Sequence, residues 1–452
     1  MRIAVTRPLF DWQALEDSPT LASLRELLAS IPDARLLEGL AQHRGRGRDD
    51  YPVTALWGVV LLTVLLRHKD FEACLSELRR NAGLRQLIGI GDENAVPKKW
   101  NISRFMAVLG SQPHRTRLAE MFDRMARRLA GVVPSLGQHL AGDATALKAT
   151  KLRHAAGEAA ETADGLPQPS GGRKEYRDDA GKVTEIYEWF GYKLHLLVDV
   201  KHEVAVAYTV TAPSAGDGET LPAVLTQAQA NLPAGRIQTL AYDKAADTND
   251  VHDLLARSRI KPLIQMRTLW KEEPERMLPG HDGRSNIVYD EAGTLYCYDR
   301  TRTPIVRHPM SFTGYEASRG TVKYRCPAVH EGWPCPSQTV CNADRPFGKT
   351  VRVKCEIDLR RFPPIPRATQ QFERRYKGRT AVERVNGRLK VFWGADDGNL
   401  VGARRFHALV GIVMLAHLAF ATQLVAAPRR DGTLGKMRLS PIARNLRRVL
   451  QE

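Results

Sequence analysis

Apolar residues recur at helical spacing through the first 130 positions of the chain. The runs at 57–66, 71–78 and 105–109 each place apolar side chains on one face, and Arg-rich joints separate them, so the pattern predicts an all-helical region. From about residue 137 the period changes. Residues 139–145 are short and moderately apolar, and 190–200 and 203–211 are β-prone and meet at Lys201 and His202, which predicts a hairpin. Residues 219–230 read as a helix, 237–242 alternate as a strand ending at Asp243, 249–258 are helical, and 260–266 form another short strand. The polar stretch 150–184, rich in Gly, Ala, Asp and Lys, predicts a long loop. The element order is therefore β, β, β, α, β, α, β.

Between 267 and 368 the pattern becomes irregular, with several Pro residues and β-prone pieces at 294–298 and 350–357. A structureless loop of that length is improbable in a compact domain, so the segment reads as a β-rich insertion. FPPIP at 362–366 then makes a stiff boundary before Thr369, the expected N-cap of a helix over 369–394. The expected organisation is a helical region over 1–130, the first part of an α/β core over 137–267, the insertion over 268–368, final core helices over 369–427 and a basic tail over 428–452.

Composition sharpens this picture. The 452 residues allow two to three domains, and a hydrophobic content of 43% is enough to build sizeable cores. A formal charge of +17 calls for a polyanionic partner, nucleic acid first and a membrane surface second. Two apolar runs are read as buried helices and not as membrane spans: 53–66 is too short, and 408–427 carries His417, Thr422 and Gln423. Arg2, Arg7 and Asp11 interrupt the opening residues, so no signal peptide is expected and the location is read as cytoplasmic, with no membrane partner.

Five of the six cysteines, Cys297, Cys326, Cys335, Cys341 and Cys355, fall in one sixty-residue segment. In a cytosolic chain such clustering points to metal or free thiols before disulfides. Cys326, His330, Cys335 and Cys341 are the candidate set for a structural zinc, although no CxxC pair is present; unliganded thiols are the alternative.

The segment YKGRTAVERVNGRLK at 376–390 concentrates chemistry. Tyr376, Arg379, Glu383 and Lys390 stand at offsets 0, 3, 7 and 14, which on a continuous helix fall within a stripe of roughly 60°. Ala381, Val382, Val385, Leu389 and Phe392 collect on the opposite side as a buried back. A lone carboxylate on a cationic face suits a metal beside a phosphodiester; a solvated face with an ordinary Arg and Glu pair is the alternative. Gly378 and Gly387 cost such a helix roughly 1 kcal/mol each, and close approach of DNA is the expected reason.

That spacing resembles the Y-(2)-R-(3)-E-(6)-K signature of bacterial insertion-sequence transposases of the DDE type, with all four letters in register. The resemblance implies a ribonuclease-H-like core holding three metal-binding acids, with an insertion between the second and third. Glu383 would be the last acid, Asp243 at the end of IQTLAYD the second, and Asp143 in LAGDATALKA the first, because a D-x-T form recurs there. Without the resemblance Asp143 reads as a helix N-cap and Asp243 as a turn residue.

The family implies DNA hydrolysis that frees a 3′-OH at the element end, followed by attack of that hydroxyl on target DNA. Two Mg²⁺ (or Mn²⁺) ions about 3.5 to 4 Å apart would serve both steps, and hard cations require oxygen ligands. Tyr376, Arg379 and Lys390 would bind phosphates. Lys193 and His195, in GYKLH, match a family strand beside the active site; a hydrogen-bonded structural role is the alternative for His195. PKKWNISRF resembles the N-terminal segment that contacts terminal repeats, which brings in Lys98, Lys99 and Arg104. Arg44, Arg46 and Arg48 form a further basic run, equally readable as a plain loop. The expected partner is double-stranded DNA, with a homodimer in the complex. Rival readings are a catalytically silent DNA-binding derivative and a zinc-dependent structural or regulatory protein.

Overall fold

The computed structural model describes residues 19–46, 50–150, 160–178, 182–267, 270, 274–279, 286–299, 301–342, 345–397 and 400–426. Arg48 and the basic tail 428–452 lie outside the described residues.

The N-terminal periodicity is realised as helices α1 (Pro19–Ala29), α2 (Ala34–Arg44), α3 (Val53–Leu65), α4 (Phe71–Arg80), α5 (Ala82–Leu87), α6 (Lys99–Leu109) and α7 (His114–Val132). Local chemistry sets their ends. At α4, the Asp70 carboxylate accepts from the Ala73 N–H at 2.8 Å, and Arg79 and Arg80 sit in the last turn, where cations offset the helix dipole. Helix α3 is buried all round from Ala55 to Leu65, which explains its uniformly apolar sequence.

Beyond α7 lie β1 (His139–Lys148), β2 (Ser170–Arg177), β3 (Val183–Asp199), β4 (Ala205–Thr211), α8 (Asp217–Asn231), β5 (Thr239–Tyr242), α9 (Asn249–Arg257) and β6 (Lys261–Ile264). The sheet order is β2-β3-β1-β5-β6, with β4 also on β3; β1 runs antiparallel to β3, while β1, β5 and β6 are parallel. The expected loop over 150–184 is corrected: it contains β2, and β3 begins at Val183 instead of 190. The first half of β3 is largely exposed, so the β2–β3 hairpin carries no apolar alternation to betray it.

The insertion is β-rich, as expected. An antiparallel sheet ordered β10-β9-β8-β7 comprises β7 (Glu275–Met277), β8 (Ile287–Asp290), β9 (Leu295–Asp299) and β10 (Val306–Pro309). A second holds β11 (Ser311–Glu316), β12 (Thr321–Arg325) and β13 (Thr350–Lys354), with short helices α10 (Pro327–Glu331) and α11 (Gln338–Asn342) between the last two. Leu278, Ile287, Leu295, Val322 and Phe362 belong to a core of its own.

The expected continuous helix over 369–394 is broken into α12 (Gln370–Tyr376), a 3-10 turn (Lys377–Arg379), α13 (Thr380–Gly387) and a π turn (Arg388–Phe392). Thr369 is its N-cap, accepting from the Phe372 N–H at 3.1 Å. Gly378 has a reason within the protein: a Cβ there would stand 2.6 Å from Val200 Cγ1, so the glycine permits close approach to the residue that follows β3. The helix is not continuous, yet Arg379, Glu383 and Lys390 still line one cleft, and the expected back is buried at Ala381, Val382, Val385 and Leu389 and half-buried at Phe392. Helix α14 (Ala403–Ala426) follows. Residues Ala403–Val425 are long and apolar enough to cross a membrane, but 72% of the most apolar window is buried inside the molecule. His417 of α14 is buried and accepts from the Ala205 N–H of β4 at 3.0 Å, which pins the helix under the sheet. One hydrophobic core runs from Leu24 through the sheet to Ala421.

Candidate active site

Parallel register brings the two aspartates together. In the β1–β5 pair Ala141 lies opposite Ala241, so Asp143 on β1 and Asp243 just past β5 leave neighbouring strands at corresponding positions. Gly142 leaves room for the Tyr242 ring packed against it; a side chain there would collide with that ring. Both acids line a cleft of about 1210 Å³, whose wall also includes Glu383 of α13 and the cations Lys193, Arg379 and Lys390.

Burial pushes the Asp143 carboxyl up to about 6, despite the nearby Arg379 charge. Asn386, one turn beyond Glu383, donates from Nδ2 to Asp143 Oδ2 at 3.4 Å, while its own Oδ1 is buried without a partner. Asp243 Oδ1 accepts from the Lys244 N–H at 2.6 Å, so it also caps the turn that follows β5. Glu383, 51% exposed, accepts from Arg379 Nη2 at 2.8 Å. Burial works against the Arg379 charge, but Tyr376, Glu383, Asp143 and Asp243 outweigh it and raise its pKa.

Lys193 donates to the Ala215 carbonyl at 2.7 Å, and Lys390 to the Ala146 carbonyl at 2.8 Å. Tyr376 is half-buried, stacks on Phe372 at 5.6 Å, and has its hydroxyl pKa raised by burial. His195 is a correction. At 1% exposure, with Nε2 3.0 Å from Thr211 Oγ1, its ring is out of reach of DNA, and burial lowers its pKa to about 4.

Lys98, Lys99 and Arg104 are exposed on and before α6 and are not among the residues that line the acid cleft. Lys98 and Arg104 line a separate groove of about 670 Å³ with Trp100, which is 54% exposed and lies under the Arg104 guanidinium at 5.3 Å. Of the expected zinc set, Cys326, Cys335 and Cys341 face one small cavity, but His330 pairs with Arg325 instead. Among the described residues, no three His, Cys, Asp or Glu side chains are drawn together tightly enough to hold an ion.

Sequence reasoning missed Asp217, in the first turn of α8, and Arg173 and Lys174 of β2, all of which line the cleft. Burial raises the Asp217 carboxyl, Lys193 opposes that, and Asp243 reinforces it. Its only signal was the helix-start run GDGET, indistinguishable from ordinary capping.

The model of the transposase DDE domain family matches residues 134–419. The chain belongs to that family. A second family model, a transposase domain designated DUF772, matches residues 10–107, so both the helical region and the cleft-bearing part of this transposase are covered. No curated protein matches the sequence. DDE transposases act on DNA and generally use divalent metal ions. The rival reading of a zinc-dependent regulatory protein with incidental acids is not favoured, because the matched DDE segment contains all three candidate acids.

Proposed function

We propose that this transposase cleaves DNA at the ends of its element and transfers them to a target, using Asp143, Asp243 and Glu383 on a ribonuclease-H-like core. The observation that carries the reading is the convergence of the three acids on one cation-rimmed cleft from β1, β5 and α13. The central order β3-β1-β5-β6, antiparallel then parallel, agrees with that core.

The donor set fits hard divalent cations. Every acid offers carboxylate oxygen, the orphaned amide oxygen Asn386 Oδ1 is a further hard donor, and burial makes the Asp143 charge costly despite Arg379 and Lys174 nearby. Bound there, a pair of Mg²⁺ or Mn²⁺ ions would activate water and stabilise charge on the leaving oxygen. Asp143, Asp243 and Glu383 would hold them. Arg379, presently engaged by Glu383, grips a phosphate with its forked donors, while Lys193 and Lys390 act as point charges. Tyr376 positions Arg379 from beneath. Hydrolysis frees a 3′-OH, and the same cleft then presents that hydroxyl to target DNA. Lys98, Lys99 and Arg104, with exposed Trp100, contact the terminal repeat. Joining two ends to one target calls for two copies of the chain.

The test is strand cleavage of end-bearing duplex with Mg²⁺ or Mn²⁺, alongside binding of the same duplex. Glu383→Gln, Asp143→Asn and Asp243→Asn should each abolish cleavage and leave binding largely intact. Normal cleavage by any of them removes that residue from the active site, and a wild-type protein that binds ends without cutting them would favour the silent derivative.

A further inference from the structure

Four of the five cysteines in the insertion converge on a cavity of about 30 Å³, room for little more than a single ion. They arrive from separate places: Cys297 from β9 in the four-stranded sheet, Cys326 from the end of β12 in the three-stranded sheet, Cys335 from the link between α10 and α11, and Cys341 from α11. All are free thiols, and Cys297 lies within electrostatic reach of the other three. The fifth, Cys355, is packed in the insertion's apolar core and does not face the cavity.

Burial pushes the Cys297 thiol up to about 12 and raises Cys335 as well, so these sulfurs stay protonated until a cation takes the place of the protons, but hydrogen-bond donors surround them. His308 is the register partner of Cys297 across β9 and β10, lines the same cavity, and keeps Nε2 buried with no partner. Asn286 directs Nδ2 at Cys341 Sγ from 3.8 Å, and its Oδ1 accepts from Lys349 Nζ at 3.1 Å. N–H donors and a nearby cation are what a cluster of negative sulfurs needs around it.

We propose that Cys297, Cys326, Cys335 and Cys341 form a structural zinc site that ties the insertion's two sheets together, with His308 outside the ligand set as a donor to sulfur. Four sulfurs at about 2.3 Å in tetrahedral array are a closed structural coordination sphere for Zn²⁺. The thiols stand apart from that geometry in this structure, so binding would have to draw the four sulfurs inward and release their protons to solvent. The ligand set differs from the one the sequence suggests, because Cys297 replaces His330. A strand position remote in sequence reaches the cavity, whereas a histidine four residues from Cys326 turns to Arg325.

Elemental analysis of the full chain, purified without chelator, tests the site. About one zinc per chain is expected, retained in His330→Ala and in His308→Ala, and lost in Cys297→Ser and Cys335→Ser. Because a cysteine variant can fail to fold, wild-type protein stripped of metal should also be titrated with Co²⁺. An intense thiolate-to-cobalt absorption saturating at about one equivalent supports four sulfur ligands. Zinc retained by Cys297→Ser but lost from His330→Ala or His308→Ala overturns the ligand set. Wild-type protein that carries no zinc and gives no cobalt–thiolate band overturns the site.

Discussion

Arg379 Nη2 donates to Glu383 Oε1 at 2.8 Å, one helical turn away, and the same guanidinium feels the charges of Asp143 and Asp243. A protein cation thus stands where three acids need positive charge. An incoming phosphate and divalent ions would divide that role, the ions serving the acids and the guanidinium serving the phosphate.

Arg379→Ala should therefore weaken capture of element ends and lower the slope of log affinity against log salt by about 0.9, the contribution of one phosphate contact. Arg379→Lys should restore most of the slope but only part of the affinity, since a point charge replaces a fork. Binding isotherms over a salt series decide this; a slope unchanged in Arg379→Ala would count against a phosphate role.

Asp143 ties stability to pH. Its carboxyl ionises near 3.8 when unperturbed and near 6 when folded, so between those values the folded state binds more protons and stability falls as pH rises. Above about pH 6 the full cost is present. Asp143→Asn should accordingly stabilise metal-free protein at pH 7.5 by about 1 to 3 kcal/mol while abolishing cleavage. The gain should vanish near pH 4. Thermal denaturation in chelator at both pH values checks it, and a variant less stable than wild type at pH 7.5 contradicts it.

Asp247, fully buried four residues past Asp243, pins both ends of the insertion beside the acid cleft. It accepts from Arg360 Nε at 2.9 Å, from the Arg267 N–H at 2.8 Å and from Arg367 Nη2 at 3.3 Å, with His252 Nε2 at 3.0 Å. Burial alone would raise its pKa, but the hydrogen bonds from His252 and Arg360, the Arg267 N–H and the Arg367 charge bring it down to about 2. That stabilisation is present above the unfolded value near 4 and is lost as pH falls from about 4 to about 2. Asp247→Asn should cost about 3 kcal/mol or more at neutral pH, because it leaves buried arginines unpaired. Urea denaturation of wild type and variant at pH 7 measures the loss; equal stability would mean the arginines find other partners.

The two glycines of the signature segment should respond oppositely to alanine. Gly378→Ala forces a Cβ against Val200 and should lower stability by about 1 to 3 kcal/mol. At Gly387 the backbone is helical and an added Cβ meets nothing within 4 Å, so alanine should add up to about 1 kcal/mol. Melting temperatures separate the two. If Gly387→Ala is also fully active, close DNA approach is not the reason for that glycine.

Part of the site was legible because its chemistry is local. Spacing singles out the segment around Glu383 and the Thr369 cap, and His417 marks α14 as a core helix, whereas Asp143 and Asp243 are named only through the family resemblance; all three acids line one cleft. What escaped depends on neighbours. β2 is polar and exposed, so alternation could not reveal it. His195 of GYKLH stood among the candidate DNA contacts but is buried within the β3–β4 pair against Thr211, and Asp217 looks like a helix cap yet faces the cleft.

From its own letters the chain set most of its helical and extended segments, though not β2, together with a charge suited to a polyanion and side chains able to serve hard cations, because periodicity, charge and donor type are properties of residues. Only the tertiary structure decided which of them meet. The alignment of Ala141 with Ala241 is set by parallel strand pairing, the break at Gly378 by contact with Val200, and the gathering of Cys297 with three distant thiols by the packing of two sheets. Each is a contact between segments far apart in the chain, and no local pattern encodes such a contact.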